Sequence, residues 1–270
     1  MNAPVTPPQT LPLLYERLGS VAVLTLNRSD ARNSLSEATL TAFGEAFSSI
    51  AGDKSIRAVV IAAHGPAFCA GHDMKELTAR RADSDGGRAY FKQIMTACSA
   101  VMQMIVRLPQ PVIAAVEGVA TAAGCQLVAS CDLAVASRTA RFATPGVDIG
   151  LFCSTPMVAL SRNVSKKHAM QMLLTGEMVS AEDAFRMGLV NRVVEAGQAR
   201  DEALALANKV ASKAGAVIKL GKEAFYQQSE MGLADAYSYT SEVMVENMLA
   251  GDANEGICAF LDKRPPVWEK

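Results

Sequence analysis

Short apolar runs alternate with segments of helical periodicity over the first two thirds of the chain. Residues 21–26, 57–63 and 112–116 are apolar runs rich in β-branched side chains and closed by polar or turn residues, so each is predicted to be a buried strand. Residues 36–50 follow a serine and carry apolar side chains at helical spacing, as do residues 86–108. Both segments are predicted to be helices.

The pattern changes after residue 194. A glycine- and alanine-rich turn at 118–124, a short helix and a strand at 133–136 complete the alternating part, which predicts an α/β core over residues 13–195. Residues 196–270 show only helical patterns, in three segments: 198–214, 216–228 and 233–250. The proline-rich residues 1–12 are expected to be a disordered lead-in.

Composition excludes several functions. Half of the 270 residues are hydrophobic, and 26 basic against 27 acidic residues give a net charge of −1, so neither nucleic acid nor an anionic membrane is an expected partner. No apolar stretch is long enough to span a membrane, and the N-terminus shows no targeting pattern. The six cysteines are scattered without a CxxC pair, which argues against a metal site and against disulfides. A cytoplasmic protein is expected on these grounds.

Two glycine-bearing loops each follow a predicted strand and precede a predicted helix. They are FCAGHD at 68–73 and GVATAAGCQ at 118–126. Small residues allow a ligand to approach the backbone, and two N–H groups aimed at one point would form an oxyanion hole. The alternative is that each loop is only a tight turn. Neither loop matches GxxxxGK[ST] or GxGxxG, which excludes nucleotide-dependent phosphoryl transfer and Rossmann-type hydride transfer.

A larger set of motifs carries a family resemblance. In chain order they are LNR (26–28), ARNSL (31–35), AFCAGHDMKEL (67–77), PVIAAVEGVATAAGCQLVASCDLAVAS (111–137), FATPGVDIGL (142–151), LLTGEMVSAEDAFRMGLVNRVV (173–194) and AFLDKRPPVW (259–268). Over about residues 15–268 the chain resembles the crotonase, or enoyl-CoA hydratase/isomerase, superfamily.

This resemblance implies a fold, a substrate class and an assembly. The fold is a β-β-α spiral core followed by a C-terminal helical trimerisation region, and the assembly is a homotrimer or a dimer of trimers. The substrate is an acyl-CoA thioester, so coenzyme A arrives as part of the substrate and no cofactor is bound permanently. The shared chemistry is stabilisation of an enolate-like anion by two backbone N–H groups.

The resemblance also assigns residues to the site. The oxyanion donors fall at the backbone N–H groups of His72 and Ala123, and the His72 imidazole either faces the acyl group or serves packing. Positions that meet coenzyme A are Arg28, Arg32, Ala70, Asp73, Lys75, Gly124, Phe260 and Lys263, the last two reaching a neighbouring subunit's ligand. Cationic side chains suit its phosphates, although each is equally explained as a solvated surface cation.

The family pattern fails at the two hydratase glutamates. Gln126 stands at the position of the glutamate that activates water. Gly146 stands at the position of the glutamate that delivers the proton. Each acid–base group is worth roughly 10²–10⁴ in rate, so ordinary hydratase activity is expected to be weak or absent. Asp148 is the stand-in carboxylate if 146–149 is extended, and Cys153 or Ser154 is a candidate nucleophile toward the thioester.

Three functions remain open at this point. The first is a hydratase-like enzyme that stabilises a thioester enolate, and the second is another crotonase reaction, such as thioester hydrolysis or isomerisation. The third is a regulatory trimer that binds acyl-CoA without turnover. Glu117 and Asp132, which flank the second glycine loop and its helix, are predicted to be structural.

Overall fold

Two β-sheets organise residues 11–268, which are the residues that the computed structural model describes. The predicted lead-in lies outside these residues except for its last two positions. The larger sheet has the order β1-β2-β3-β5-β7-β10, with strands β1 (Leu13–Leu18), β2 (Val21–Leu26), β3 (Ala58–Ala63), β5 (Val112–Val116), β7 (Leu133–Ser137) and β10 (Arg192–Val194). The smaller has the order β4-β6-β8-β9, with β4 (Ala67–Cys69), β6 (Val119–Thr121), β8 (Arg141–Ala143) and β9 (Val179–Ser180).

Helices follow most of these strands. They are α1 (Glu37–Gly52), α2 (Met74–Ala79), α3 (Arg88–Arg107), α4 (Ala123–Ser130), α5 (Pro156–Asn163), α6 (Lys166–Thr175), α7 (Ala181–Met187), α8 (Ala199–Ala211), α9 (Gly215–Gln228), α10 (Leu233–Leu249) and α11 (Gly251–Leu261). Only β1 and β9 pair antiparallel with their neighbours, and the remaining pairings between strands of the described chain are parallel.

The larger sheet is buried on both faces, as parallel sheets require. Alternate residues of β2 and β3 point to opposite sides, so Leu24 and Ile61 pack toward α1 and α3. Val23 and Val60 face the other way, where α8 covers them with three alanines spaced one turn apart: Ala199, Ala203 and Ala207. Although α8 lies within the predicted trimerisation region, its apolar face is therefore used inside the core.

The longer predicted elements are confirmed. Strands β2 and β5 have the predicted bounds, and α1 and α3 occupy the two predicted helical segments. The predicted turn at 118–124 instead contains β6. The six-residue β1, most of whose side chains are exposed, was not predicted, and neither were the shorter β4, β8, β9 and β10. Strands of two or three residues are too short for alternation to show in the sequence.

Two acidic groups connect the core to the C-terminal helices. Asp132 accepts hydrogen bonds from Lys222 Nζ at 2.7 Å and from Tyr226 Oη at 2.9 Å, both on α9. The Glu117 carboxylate accepts the backbone N–H of Gly197 and of Ala199, which caps the start of α8. These contacts agree with the structural roles predicted for Glu117 and Asp132.

Helices α10 and α11 leave large apolar side chains uncovered. Leu233, Leu249 and Phe260 are 78%, 77% and 81% exposed, and Tyr237 and Met248 are also exposed. Within residues 11–268 no helix combines the length and hydrophobicity needed to cross a bilayer.

Candidate active site

The two glycine loops are in direct backbone contact. A Cβ atom on Gly71, where φ is +94°, would lie 3.3 Å from the Ala123 nitrogen, and a Cβ on Gly124 would lie 2.0 Å from the Cys69 carbonyl oxygen. Strands β4 and β6 run parallel as neighbours and bring the loops together. Only glycine fits at these two positions, and the close approach places His72 beside the first turn of α4.

Each loop presents a backbone N–H that the local pairing does not use. Across a short bridge, Leu35 N donates to Gly71 O and Asp73 N donates to Leu35 O, which leaves the N–H of His72 out of the pairing. In α4 the first intrahelical bond runs from Gln126 N to Ala122 O, so the N–H of Ala123 precedes it. The predicted donors thus lie on adjoining segments.

The His72 imidazole is buried beside the backbone of Leu35. Neither ring nitrogen meets hydrogen-bond geometry with a described residue, although the Leu35 backbone is close enough to favour the charged ring. Burial lowers the pKa of His72, because desolvation disfavours the charged imidazolium. The side chain is therefore neutral at pH 7, with one N–H donor and one nitrogen acceptor unsatisfied.

Two further buried polar atoms are unsatisfied nearby. Gln126 is 4% exposed and Thr144 is 0% exposed, yet Gln126 Oε1 and Thr144 Oγ1 have no hydrogen-bond partner among the described residues. Thr144 follows Ala143, whose carbonyl accepts the N–H of Ala122 immediately before α4. Because buried polar groups are normally paired, such a group of unsatisfied atoms indicates a place where ligand atoms bind. Thr144 was not predicted, and no sequence signal identified it.

The segment after Thr144 differs from the prediction. Pro145–Ile149 is a 3₁₀ helix, so the condition under which Asp148 would replace the glutamate, an extended segment at 146–149, is not met. Asp148 is exposed, and its carboxylate lies against Gly176, 3.0 Å from the position of a Cβ there. In an extended strand alternate side chains point to the same face, which would direct Asp148 toward the position of the missing carboxylate. This alternation does not apply to a 3₁₀ helix.

The space beside Gly146 is filled. A Cβ at this position would lie 2.9 Å from Cys153 Sγ and 2.9 Å from the Leu151 carbonyl oxygen. Cys153 is 7% exposed, whereas the neighbouring Ser154 is exposed and its hydroxyl donates to Phe152 O. Of the two predicted nucleophiles, only the thiol is buried next to the glycine that replaces the glutamate.

The predicted coenzyme A positions divide into paired and free side chains. Arg28 donates to Ser34 O and to Asp73 Oδ2, both at 2.9 Å, and Asp73 Oδ1 accepts the N–H of Lys75 and of Glu76 at the start of α2. Burial opposes ionisation of Asp73, but the Arg28 hydrogen bond and these N–H groups hold its pKa below the ordinary value. Both charges are used internally, which favours a structural role for this pair.

The remaining cationic positions are exposed. Arg32 and Lys75 lie on the two segments joined at the first glycine loop, where Ala70 N donates to Arg32 O. Phe260 and Lys263 lie at the end of α11 and after it, also exposed. In the described part of the chain, no hydrogen bond or ion pair joins these two residues to the glycine loops.

No group of three or more His, Cys, Asp or Glu side chains in residues 11–268 has the arrangement of a metal site. The six cysteines are free thiols, five of them buried and Cys258 exposed. Burial raises the pKa of Cys69, Cys98 and Cys125 to about 12.

This arrangement of two sheets and paired glycine loops is that of the enoyl-CoA hydratase/isomerase family, to which the chain belongs: the family profile described as "Enoyl-CoA hydratase/isomerase" matches residues 16–270. The predicted crotonase resemblance is confirmed. The chain is similar to enoyl-CoA hydratase domain-containing protein 3, mitochondrial. It is 47% identical to the protein of that name from Rattus norvegicus over 91% of this chain and 80% of the relative, and 46% identical to that from Homo sapiens over 95% and 83%.

Solved structures support the same family and fold. A crystal structure of enoyl-CoA hydratase from Mycobacterium smegmatis matches with a TM-score of 0.91 and 53% identity, covering 96% of this chain and 99% of that one. The human domain-containing protein 3 structure matches with a TM-score of 0.90 and 46% identity, covering 95% and 100%. The predicted α/β crotonase fold is confirmed.

The prediction of a cytoplasmic protein is wrong. Relatives that align with more than nine tenths of this chain, including the rat and human proteins, carry "mitochondrial" in their names. Cysteine usage does not separate the two locations, because unpaired thiols suit any reducing compartment.

Proposed function

We propose that this protein binds an acyl-CoA thioester and stabilises the negative charge that develops on the thioester oxygen with the backbone N–H groups of His72 and Ala123. The observation that carries the proposal is the contact of the two loops at Gly71 and Gly124, which brings two unused N–H groups to adjoining positions. Membership of the enoyl-CoA hydratase/isomerase family supports the substrate class.

The chemical step is formation of an enolate. When a proton leaves the carbon next to the thioester, the negative charge moves to the thioester oxygen. Two N–H groups that are already in position then stabilise this charge through hydrogen bonds. One such donor is worth roughly 3–4 kcal/mol in enzymes where it has been removed. The neutral His72 and Gln126 side chains add hydrogen-bonding capacity around the acyl group but no charge.

Hydration of a double bond is proposed to be weak. The Gln126 amide orients water through hydrogen bonds but does not exchange a proton near neutral pH. Gly146 supplies no side chain, and the exposed Asp148 faces Gly176. The position where a hydratase keeps its water-activating pair therefore holds no carboxylate among the described residues.

The phosphates of coenzyme A are proposed to lie near Arg32 and Lys75, both exposed beside the first glycine loop. Ala70 and Gly124 supply the surrounding backbone. Phe260 and Lys263 would act on the ligand of a neighbouring subunit, which fits their exposure at the end of α11. We propose a homotrimer or a dimer of trimers, in which the apolar side chains of α10 and α11 are covered.

Calorimetry with butyryl-CoA and a coupled assay with crotonyl-CoA test this function. The expected result is butyryl-CoA binding with slow crotonyl-CoA hydration. Lys75→Glu should weaken butyryl-CoA binding, more at low salt than at high salt. The matched control is Lys54→Glu, at an exposed lysine just after α1, which should leave the affinity unchanged. Rapid hydration would contradict the interpretation of Gln126 and Gly146, and failure to bind any acyl-CoA would contradict the function itself.

The same assays separate the rival functions. Release of free coenzyme A from butyryl-CoA would indicate thioester hydrolysis. Tight binding with no hydration, no coenzyme A release and no exchange of the α-hydrogens would indicate a binding protein without catalysis. Light scattering that gives a 28.5 kDa monomer at micromolar concentration would contradict the proposed assembly.

A further inference from the structure

A thiol lies beside the position from which a carboxylate has been lost. The Cβ that Gly146 lacks would lie 2.9 Å from Cys153 Sγ, so the sulfur is in contact with the space that a side chain at position 146 would enter. Burial raises the pKa of Cys153 and is the larger effect, while the nearby backbone of Gly146 favours the thiolate. The resting group is therefore a protonated thiol at neutral pH.

Independent observations place a ligand beside this thiol. Gln126 Oε1 and Thr144 Oγ1 are unsatisfied on side chains that are more than nine tenths buried. Thr144 lies two residues before Gly146, and Cys125, next to Gln126, is close enough to Cys153 that a charge on the Cys153 sulfur raises the pKa of Cys125. The thiol and the two unsatisfied atoms thus line one region between α4 and the 3₁₀ helix.

We propose that Cys153 is the acid–base residue of this site and exchanges a proton with the α-carbon of the bound acyl group. This inference rests on the proposed acyl-CoA function. The Cys153 thiol first gives its proton to water. In the forward step the resulting thiolate sulfur takes a proton from the α-carbon, the C–H electron pair forms the carbon–carbon double bond, and the carbonyl electron pair moves to the thioester oxygen. In the reverse step the S–H bond breaks and the proton returns to the carbon.

Other side chains near Gly146 do not serve this purpose. Asp148 is exposed against Gly176, and the Ser154 hydroxyl is exposed and donates to Phe152 O. The Gln126 amide has no proton to exchange near neutral pH. Cys125 is a second buried thiol in this region, but burial raises its pKa to about 12. Cys153 is the buried thiol that contacts the Cβ position of Gly146.

The first test is exchange of the α-hydrogens of butyryl-CoA in D₂O, followed by mass spectrometry. Wild-type protein should incorporate deuterium without releasing coenzyme A, and Cys153→Ala should lower the rate by about 100-fold or more. The matched control is Cys131→Ala, which removes a buried thiol at the far end of α4 and should keep the wild-type exchange rate. Equal exchange in wild type and Cys153→Ala would overturn the inference.

The second test uses the unaltered protein, so it does not depend on how a variant folds. Bromoacetyl-CoA carries bromide on its α-carbon, and a sulfur that meets this carbon forms an S–C bond as bromide leaves. Peptide mapping should place the adduct on Cys153, and butyryl-CoA should prevent it.

The outcomes separate this inference from the proposed function. Absence of acyl-CoA binding contradicts both. Binding of butyryl-CoA with no adduct on Cys153 and no deuterium exchange contradicts the role of Cys153 alone. An acylated Cys153 with release of coenzyme A also overturns it, because the sulfur would then attack the carbonyl carbon and not exchange a proton at the α-carbon.

Discussion

Gly124→Ala is the sharpest test of the contact between the two loops. The added Cβ would lie 2.0 Å from the Cys69 carbonyl oxygen and 2.7 Å from its carbon, where ordinary contacts begin at 3.4 Å. The φ angle of Gly124 is not in the left-handed region, so the effect is purely steric. Because the clash is with backbone, β4 and the start of α4 must separate by more than 1 Å, a distance that follows from these contacts.

Such a separation is expected to lower both the stability of the protein and the rate of enolate formation. Overpacking of a core typically lowers the free energy of unfolding by about 1–3 kcal/mol. Because this clash is with backbone atoms, we expect Gly124→Ala to lower it by about 3 kcal/mol or more. Displacing one oxyanion donor relative to the other by about 1 Å is expected to lower any enolate-forming rate by roughly 100-fold. Both the rate of deuterium exchange into butyryl-CoA and the free energy of unfolding should therefore be lower in Gly124→Ala than in the wild type.

The matched control is Gly44→Ala, in the interior of α1. A Cβ at Gly44 meets nothing within 4 Å, and alanine favours a helix over glycine by about 1 kcal/mol, so this variant should be more stable than wild type. Urea denaturation at one fixed protein concentration measures both variants. Surface substitutions usually change the free energy of unfolding by no more than about 0.5 kcal/mol. If the free energy of unfolding of Gly124→Ala differs from that of the wild type by no more than this, and the variant binds butyryl-CoA with equal affinity, the inferred loop contact is refuted.

Three further predictions concern the Lys222–Asp132 ion pair, the His72 side chain and the two positions that lack the hydratase glutamates. Lys222→Met should lower the free energy of unfolding by about 3–5 kcal/mol in urea, because it leaves a buried carboxylate without its cation. Burial lowers the pKa of His72, so below about pH 6.5 the unfolded chain binds more protons than the native one and stability should fall as the pH drops toward 5. His72→Phe should flatten that dependence in pH-resolved denaturation. Gln126→Glu should raise crotonyl-CoA hydration by roughly 100-fold. Gly146→Glu should add little to this, because its Cβ would lie 2.9 Å from both Cys153 Sγ and the Leu151 carbonyl oxygen, and Cys153→Gly would relieve only the first contact. A large gain from Gly146→Glu alone would contradict the packing.

The sequence predicts this structure where a pattern is long. Strands β2 and β5 each contain five or more consecutive buried residues, and α1 and α3 repeat their apolar stripe over several turns, so period and burial agree. The four strands of the smaller sheet contain three residues or fewer. Tertiary pairing, not local pattern, determines such short strands.

The site shows the same division. The two glycine loops are evident in the sequence because close backbone approach demands glycine at defined positions. The pairing of Arg28 with Asp73 joins residues 45 positions apart, and the filling of the space at Gly146 by Cys153 depends on how the chain turns after a 3₁₀ helix. Neither contact has a periodic signal, so neither could be predicted from the sequence.

The position of α8 on the larger sheet has a consequence for the order in which the protein is made. Ala199, Ala203 and Ala207 cover the face formed by Val23, Val60 and their neighbours, yet they are synthesised long after both glycine loops. A nascent chain that ends before α8 leaves this sheet face open to water. The larger sheet is therefore covered on both faces only after about three quarters of the chain has been synthesised. Until then its exposed strands are prone to aggregation.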